Sequence, residues 1–384
     1  MIRSLLASLC LLCLLCACAQ EAPPEPPTPT FVPDGRPEAL SDWGQLAVGG
    51  GTLVLGEAVT PYHLATALFT DYAQKLRTVW IPADAGPAGY DPEGAFDFPV
   101  GTVITKTFYY PRAGGGFERV LKSNDGMAHY ADRQIDLDAV RLIETRVLVH
   151  RETGWETLPY VWNAEQTEAY LTRAGAFVDL TLVSDAGEEA LGYMVPNVNQ
   201  CAGCHETDTT DGIGARPIGP RARHMNTDFE YFDGVANQID HWSEQGLLRG
   251  APPAQAAPRN ASWHGEPPLI GAALDAAARA YLDINCSHCH SRTGPADTSG
   301  LYLEADEPVG PHLGVCKLPI AAGRGTGDRR YDIVPGASEE SILTHRLASV
   351  QSDVMMPELG RALDHEEGVA LIAAWIDAMS GGCG

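Results

Sequence analysis

Basic side chains are scarce in this chain: 26 Lys and Arg stand against 50 Asp and Glu, a formal charge of −24. That balance makes nucleic acid and anionic membrane surfaces poor partners. It leaves a basic protein, or a basic patch on one, as a fitting partner. Long apolar runs are also missing. Beyond the N-terminal leader no stretch approaches the roughly 20 apolar residues of a membrane-spanning helix. No catalytic motif stands out in residues 50–195, where His63, His129 and His150 occur singly and without metal-ligand spacing.

What is present is cysteine, and it is patterned. Cys201-Ala-Gly-Cys204-His205 and Cys286-Ser-His-Cys289-His290 share the form Cys-x-x-Cys-His. Two thiols three positions apart on one helical turn can each add to a vinyl group of the same porphyrin. The adjacent histidine then stands under the iron as an axial ligand. Two such segments predict two covalently bound haem c groups, with His205 and His290 as iron ligands. Their chemistry is redox. A zinc-binding structural protein built on the Cys pairs is the weaker reading, because a histidine directly follows each pair.

The start of the chain agrees with that chemistry, which is completed outside the cytoplasm. Residues 1–17 read as a signal peptide with a basic start and an apolar middle. Leu15-Cys16-Ala17-Cys18 resembles a lipobox, making Cys18 the expected lipidation site. Ala19 follows, rather than the Asp that retains lipoproteins at the inner membrane. A periplasmic protein, lipid-anchored to the outer membrane, is therefore expected. Residues 18–49 read as the lipidated N-terminus and a Pro-rich tether, with Gln20–Pro33 too rich in proline to pack.

Residues 50–195 read as a mainly β, sandwich-like domain. Gly101–Tyr110 alternates, with Val103, Thr105, Thr107 and Tyr109 on one face and Ile104, Lys106, Phe108 and Tyr110 on the other. Phe177–Val183 alternates likewise, and Ala164–Ala174 looks more helical. Mainly α haem modules should follow: a first haem segment at 196–264 and a class I-like cytochrome c domain at 265–384. The whole is an α+β multidomain chain.

The last domain is the better marked. Leu274, Ala277, Ala278, Tyr281 and Leu282 form a stripe leading into Cys286. Asp364–Glu367 offers a capping pattern before a terminal helix with Val369, Ile372, Ile376 and Met379 on one face. Between these helices lies Met355-Met356-Pro357. Met356, directly before the proline, is the preferred thioether ligand for the second iron, with Met355 the alternative. For the first iron the sixth ligand stays open among Met225, His224, Met194, His129 and none. Cys316 and Cys383 remain as a disulfide candidate in an oxidising compartment.

Cys286–His290, Val334-Pro335-Gly336 with Ser341-Ile342-Leu343, Met356-Pro357, and Leu371-Ile372 with Trp375-Ile376 resemble the C-terminal haem module of class I-like bacterial cytochromes c. The wider chain resembles a family of exported proteobacterial dihaem c-type cytochromes, often lipoproteins. Phe98–Gly101 with Lys106-Thr107-Phe108, Ile143–Arg146, Tyr160-Val161-Trp162, Pro196-Asn197 and Asn237-Gln238 with Trp242 carry that likeness. The resemblance implies electron transfer with redox partner proteins. A dihaem redox enzyme of peroxidase type, with one haem open, is the alternative.

Overall fold

The computed structural model describes residues 22–124, 126–209, 212–265, 269–320 and 322–384. The leader and Cys18 lie outside the described residues. The fold is mainly β with a few helices, and strands dominate up to residue 195.

Its centre is a six-stranded sheet. In chain order the strands of the β region are β1 (Leu46–Gly49), β2 (Thr52–Leu55), β3 (Thr60–Tyr62), β4 (Gln74–Trp80), β5 (Ala88–Gly89), β6 (Val103–Pro111), β7 (Arg119–Leu121), β8 (Tyr130–Ala131), β9 (Gln134–Asp136), β10 (Val140–Arg151), β11 (Gly154–Trp162), β12 (Ala169–Leu171), β13 (Ala176–Ser184) and β14 (Gly187–Val195). The large sheet runs β12-β11-β10-β6-β4-β3 and is antiparallel throughout. Two smaller sheets, β1-β2-β9-β8 and β14-β13-β7, pack against it.

The alternation in β6 decides what each face meets, because successive strand residues point to opposite sides. Val103 and Tyr109 join Leu76, Val147, Val149 and Tyr160 in a core shared with Leu53, Leu55 and Ile135 of the four-stranded sheet. The opposite face is divided. Phe108 and Tyr110 pack with Leu180, Leu182, Leu191 and Tyr193 of the three-stranded sheet. Ile104 and Leu148 pack with Ala222, Met225, Ile239 and Trp242, which lie on α2 (Ala222–Met225) and α3 (Gln238–Glu244). Lys106 falls between these two packed ends.

Two segments differ from the sequence reading. Ala164–Ala174 is not helical. Gln166 takes a positive φ of 59°, and its side chain donates to the Leu142 and Asn163 carbonyls. Asn163 accepts from the Thr167 N–H, so side chains close a turn before the short strand β12. The second half of the proline-rich stretch also packs. The Thr30 N–H donates to the Trp43 carbonyl at 2.9 Å, and Phe31 and Val32 lie against the first core.

After β14 come α1 (Val198–His205), the short strands β15 (Glu206–Thr209) and β16 (Gly212–Ala215), α2, β17 (Asp228–Tyr231) and β18 (Gly234–Asn237), α3 and β19 (Leu248–Arg249). Residues 196–264 are therefore not the mainly α segment expected. α4 (Gly271–Cys286), α5 (Ile342–Leu347) and α6 (Glu366–Asp377) follow. In α4, Leu274, Ala277, Ala278, Tyr281 and Leu282 are buried against Leu371, Ile372, Trp375 and Ile376 of α6. α6 begins at Glu366. His365 occupies its N-cap with no side-chain capping bond, so Asp364 does not cap it. No helix among the described residues is long and apolar enough to cross a membrane.

Polar side chains tie the helical region to the sheet region. The Asp71 carboxylate accepts from the Ala362 and Leu363 N–H groups, both at 2.8 Å. Asn285, just before the second motif, accepts from the Phe69 N–H at 2.8 Å. These ties set the two Cys-x-x-Cys-His segments relative to each other.

Candidate functional site

The first motif rides on α1, which a capping box starts. The Asn197 side chain accepts from the Gln200 N–H, and the Gln200 side chain accepts from the Asn197 N–H, each at 2.9 Å. His205 ends the helix. Its Nδ1–H donates to the Arg216 carbonyl at 2.8 Å, which fixes the tautomer and leaves Nε2 as the lone-pair nitrogen. Burial pulls this imidazole down to about 4, so it is neutral at neutral pH.

The second motif begins at the last residue of α4. Backbone bonds from Cys289 and His290 to the Cys286 carbonyl, at 3.1 and 2.9 Å, carry the turn onward. His290 Nδ1 faces Ser299 Oγ at 3.4 Å. Burial lowers its imidazole to about 4 as well. Both histidines are thus in the protonation state that binds a metal.

The two motifs, 85 positions apart by their histidines, line one cavity of about 460 Å³. Cys201, Cys204, His205, Cys286, Cys289 and His290 are all on its wall. At the meeting point the ligand atoms of Cys204, His288 and Cys289 lie within 4.8 Å of one another. Hydrogen bonding from Cys289, then the nearby His288, draws the Cys204 thiol down, and the same pairing raises Cys289. All four motif thiols are free. His288, inside the second motif, went unnoticed in the sequence, although its place between Cys286 and Cys289 forces it into the site.

The candidate sixth ligands separate by position. Met356 lines the cavity, whereas Met355 is buried in the helical region and does not. Of the four residues considered for the first motif, His224 alone is on the wall. Its Nε2–H donates to Asp283 Oδ2 at 2.7 Å, and that carboxylate also accepts from Asn260 at 2.7 Å. Met225 is fully buried in the core beside α3, Met194 sits on β14, and His129 is exposed. Cys316 and Cys383 are joined as a disulfide, with Cα atoms 5.3 Å apart.

A second set of residues on the wall escaped the sequence reading. Arg77 on β4, Lys106 on β6 and Arg146 on β10 are direct cross-strand neighbours in one row. All three line the cavity. Arg146 is paired twice with the fully buried Glu144, at 2.6 and 2.9 Å, and Glu144 also accepts from Tyr193 Oη at 2.8 Å. Burial opposes the Arg146 charge, but the Glu144 carboxylate more than offsets it and raises the group. Burial, then the Arg77 and Arg146 charges, holds Lys106 well below the usual amine range. Burial lowers Arg77 to about 10.

The donor set fits covalent haem. Each motif supplies two free thiols and one neutral imidazole, and Nδ1 of His205 is held by a carbonyl. A cavity of this size belongs to the range of about 300–1,000 Å³ that holds small molecules and cofactors. Comparison of the chain with protein-family models, curated proteins and solved structures finds no match.

Proposed function

We propose that the chain is a dihaem c-type cytochrome that carries electrons. The observation that carries this reading is the convergence of both Cys-x-x-Cys-His segments on one cavity wall. Bound haem supplies a one-electron ferric/ferrous couple. The protein's part is to hold, orient and shield it. His205 and His290 present imidazoles whose second nitrogen is engaged or faces a hydroxyl, as axial ligands require. Met356 faces the cavity and supplies a thioether for the second site. A thioether favours ferrous iron and a higher potential.

In this reading the first 17 residues direct export, Cys18 carries lipid, and the protein works at the periplasmic face of the outer membrane. Its partners are redox proteins with basic docking patches. The test is intact mass after maturation in a host with a cytochrome c assembly system. A gain of two haems, with a reversible reduced-minus-oxidised spectrum, supports the reading; a gain of one or none overturns it.

A second reading, a peroxidase-type enzyme with one open haem, draws on the first site. Neither Met194 nor Met225 lines the cavity there, and His224 is engaged with Asp283. High-spin ferric signal together with peroxide turnover would favour it over the carrier.

A further inference from the structure

We propose that Arg77, Lys106 and Arg146 form the seat for the carboxylates of the haem attached at Cys201 and Cys204. The inference rests on the dihaem reading above and assigns a row of β-sheet residues to one edge of that group.

The placement is specific. The three residues stand at one register on three adjacent strands, on the sheet face that turns from the four-stranded sheet. One step along the strands, Val79, Ile104 and Leu148 form an apolar row. Two steps of the same face therefore change from apolar to cationic. An amphipathic ligand, with a flat hydrocarbon body and carboxylates at one edge, matches that change.

The charges need an answer from outside the chain. Like charges directly opposite across strands repel, and unpaired buried charge is costly. A protein with few basic residues nevertheless sets three side by side. Glu144 answers one of them. Among the described residues Arg77 and Lys106 have no hydrogen bond or ion pair to an acidic group. Lys106 Nζ rests 4.9 Å from the centre of the Phe108 ring, and Arg146 Cζ lies 4.4 Å from the same ring. Arg77 and Lys106, each without a hydrogen-bonded acidic partner among the described residues, match the two carboxylates of one haem.

The row belongs to the first motif. α1, which carries Cys201, Cys204 and His205, packs on β11, the strand that pairs with the β10 strand of Arg146, and all of these residues line the same cavity. The cations near His290 already have partners. Lys317 is 3.0 Å from Asp332, and Arg346 is 3.8 Å from Glu358 and donates to the Val354 carbonyl at 2.8 Å. Free oxyanions share the carboxylate's chemistry, so the experiment must separate the two sources.

The test uses the full-length chain with two haems confirmed by mass. Arg77→Gln and Lys106→Gln are compared with wild type and with the conservative Arg77→Lys. Resonance Raman reads the propionate bending bands, and potentiometry reads the two couples. The expected result is a band shift in one haem and a fall in its potential alone. An uncompensated carboxylate stabilises ferric iron, and Arg77→Lys should restore most of the shift. Added phosphate should leave the wild type unchanged. Unmoved bands and potentials in either Gln variant, still folded with two haems, would overturn the proposal. So would a saturable phosphate effect in wild type that Lys106→Gln removes, since a free anion would then own the row. A wild type without haem on Cys201 and Cys204 would instead sink the dihaem reading itself, and this proposal with it.

Discussion

The two Cys-x-x-Cys-His segments reach the same cavity from different surroundings. The first ends an eight-residue helix, held by a capping box and facing a β-sheet that presents cations. The second closes a sixteen-residue helix that is buried in a helical core and faces a Met-Pro loop. An eight-residue helix is too short to be stable alone. The first site therefore owes its order to the sheet and to the Arg216 carbonyl that His205 donates to, whereas the second carries much of its own scaffold. The wall beside the first motif thus carries a row of basic side chains on strands, whereas the wall beside the second combines the Met-Pro loop with Lys317 and Arg346, which already have acidic partners. Axial ligand, burial and nearby charge are the protein's levers on a haem potential. On the proposed reading the two sites should not be alike.

The largest expected effect tests the charged wall. Glu144 is fully buried and, among the described residues, is the one carboxylate paired with Arg146. Glu144→Ala leaves that guanidinium unpaired and should cost about 3–5 kcal/mol in denaturant unfolding. A loss below 1 kcal/mol would show that the pair does not hold the sheet side together.

Next comes the disulfide, which closes a span of 67 residues in the helical region. Loop-closure entropy places its contribution at about 4 kcal/mol. Cys316→Ser with Cys383→Ser should lower the helical transition and leave the sheet transition in place. Equal loss in both would show that the two regions unfold as one unit.

Much of the sheet was legible because its signal is local. The period-2 pattern of Gly101–Tyr110 set both faces of β6 in advance, and the Leu274–Leu282 stripe marked α4. Both motifs and the Met-Pro loop are contiguous and could be read directly. The cation row could not. Arg77, Lys106 and Arg146 are single basic residues in three separate strands, and strand register alone brings them together. The pairing of His224 with Asp283, 59 positions apart on α2 and α4, was hidden because only tertiary packing brings the two helices together. Ala164–Ala174 was misread because its alanines favour helix, while Asn163 and Gln166 close a turn through their side chains.

A smaller effect concerns the joint between the two surroundings. Burial pushes the Asp283 carboxyl up, but hydrogen bonds from His224 and Asn260 reverse that and hold it at about 2. An unfolded aspartate titrates near about 3.9. A depressed carboxylate stabilises the fold above its unfolded value and loses that contribution as pH falls through its folded value. About 2 kcal/mol should therefore be lost between about pH 4 and pH 2. Asp283→Asn should remove that part of the acid dependence. Identical acid slopes in variant and wild type would show that this contact adds nothing to stability.

The inequality of the two sites is tested most directly by one measurement. Wild type and Met356→Ala are titrated potentiometrically, followed in the visible and near-infrared. Two couples and one methionine-to-iron charge-transfer band are expected in wild type. In the variant the band should vanish and one couple should fall while the other holds. Met355→Ala, a change within the buried helical region, should keep the band while costing about 2–5 kcal/mol of stability. A band that survives Met356→Ala, or two couples that fall together by equal amounts, would contradict the account.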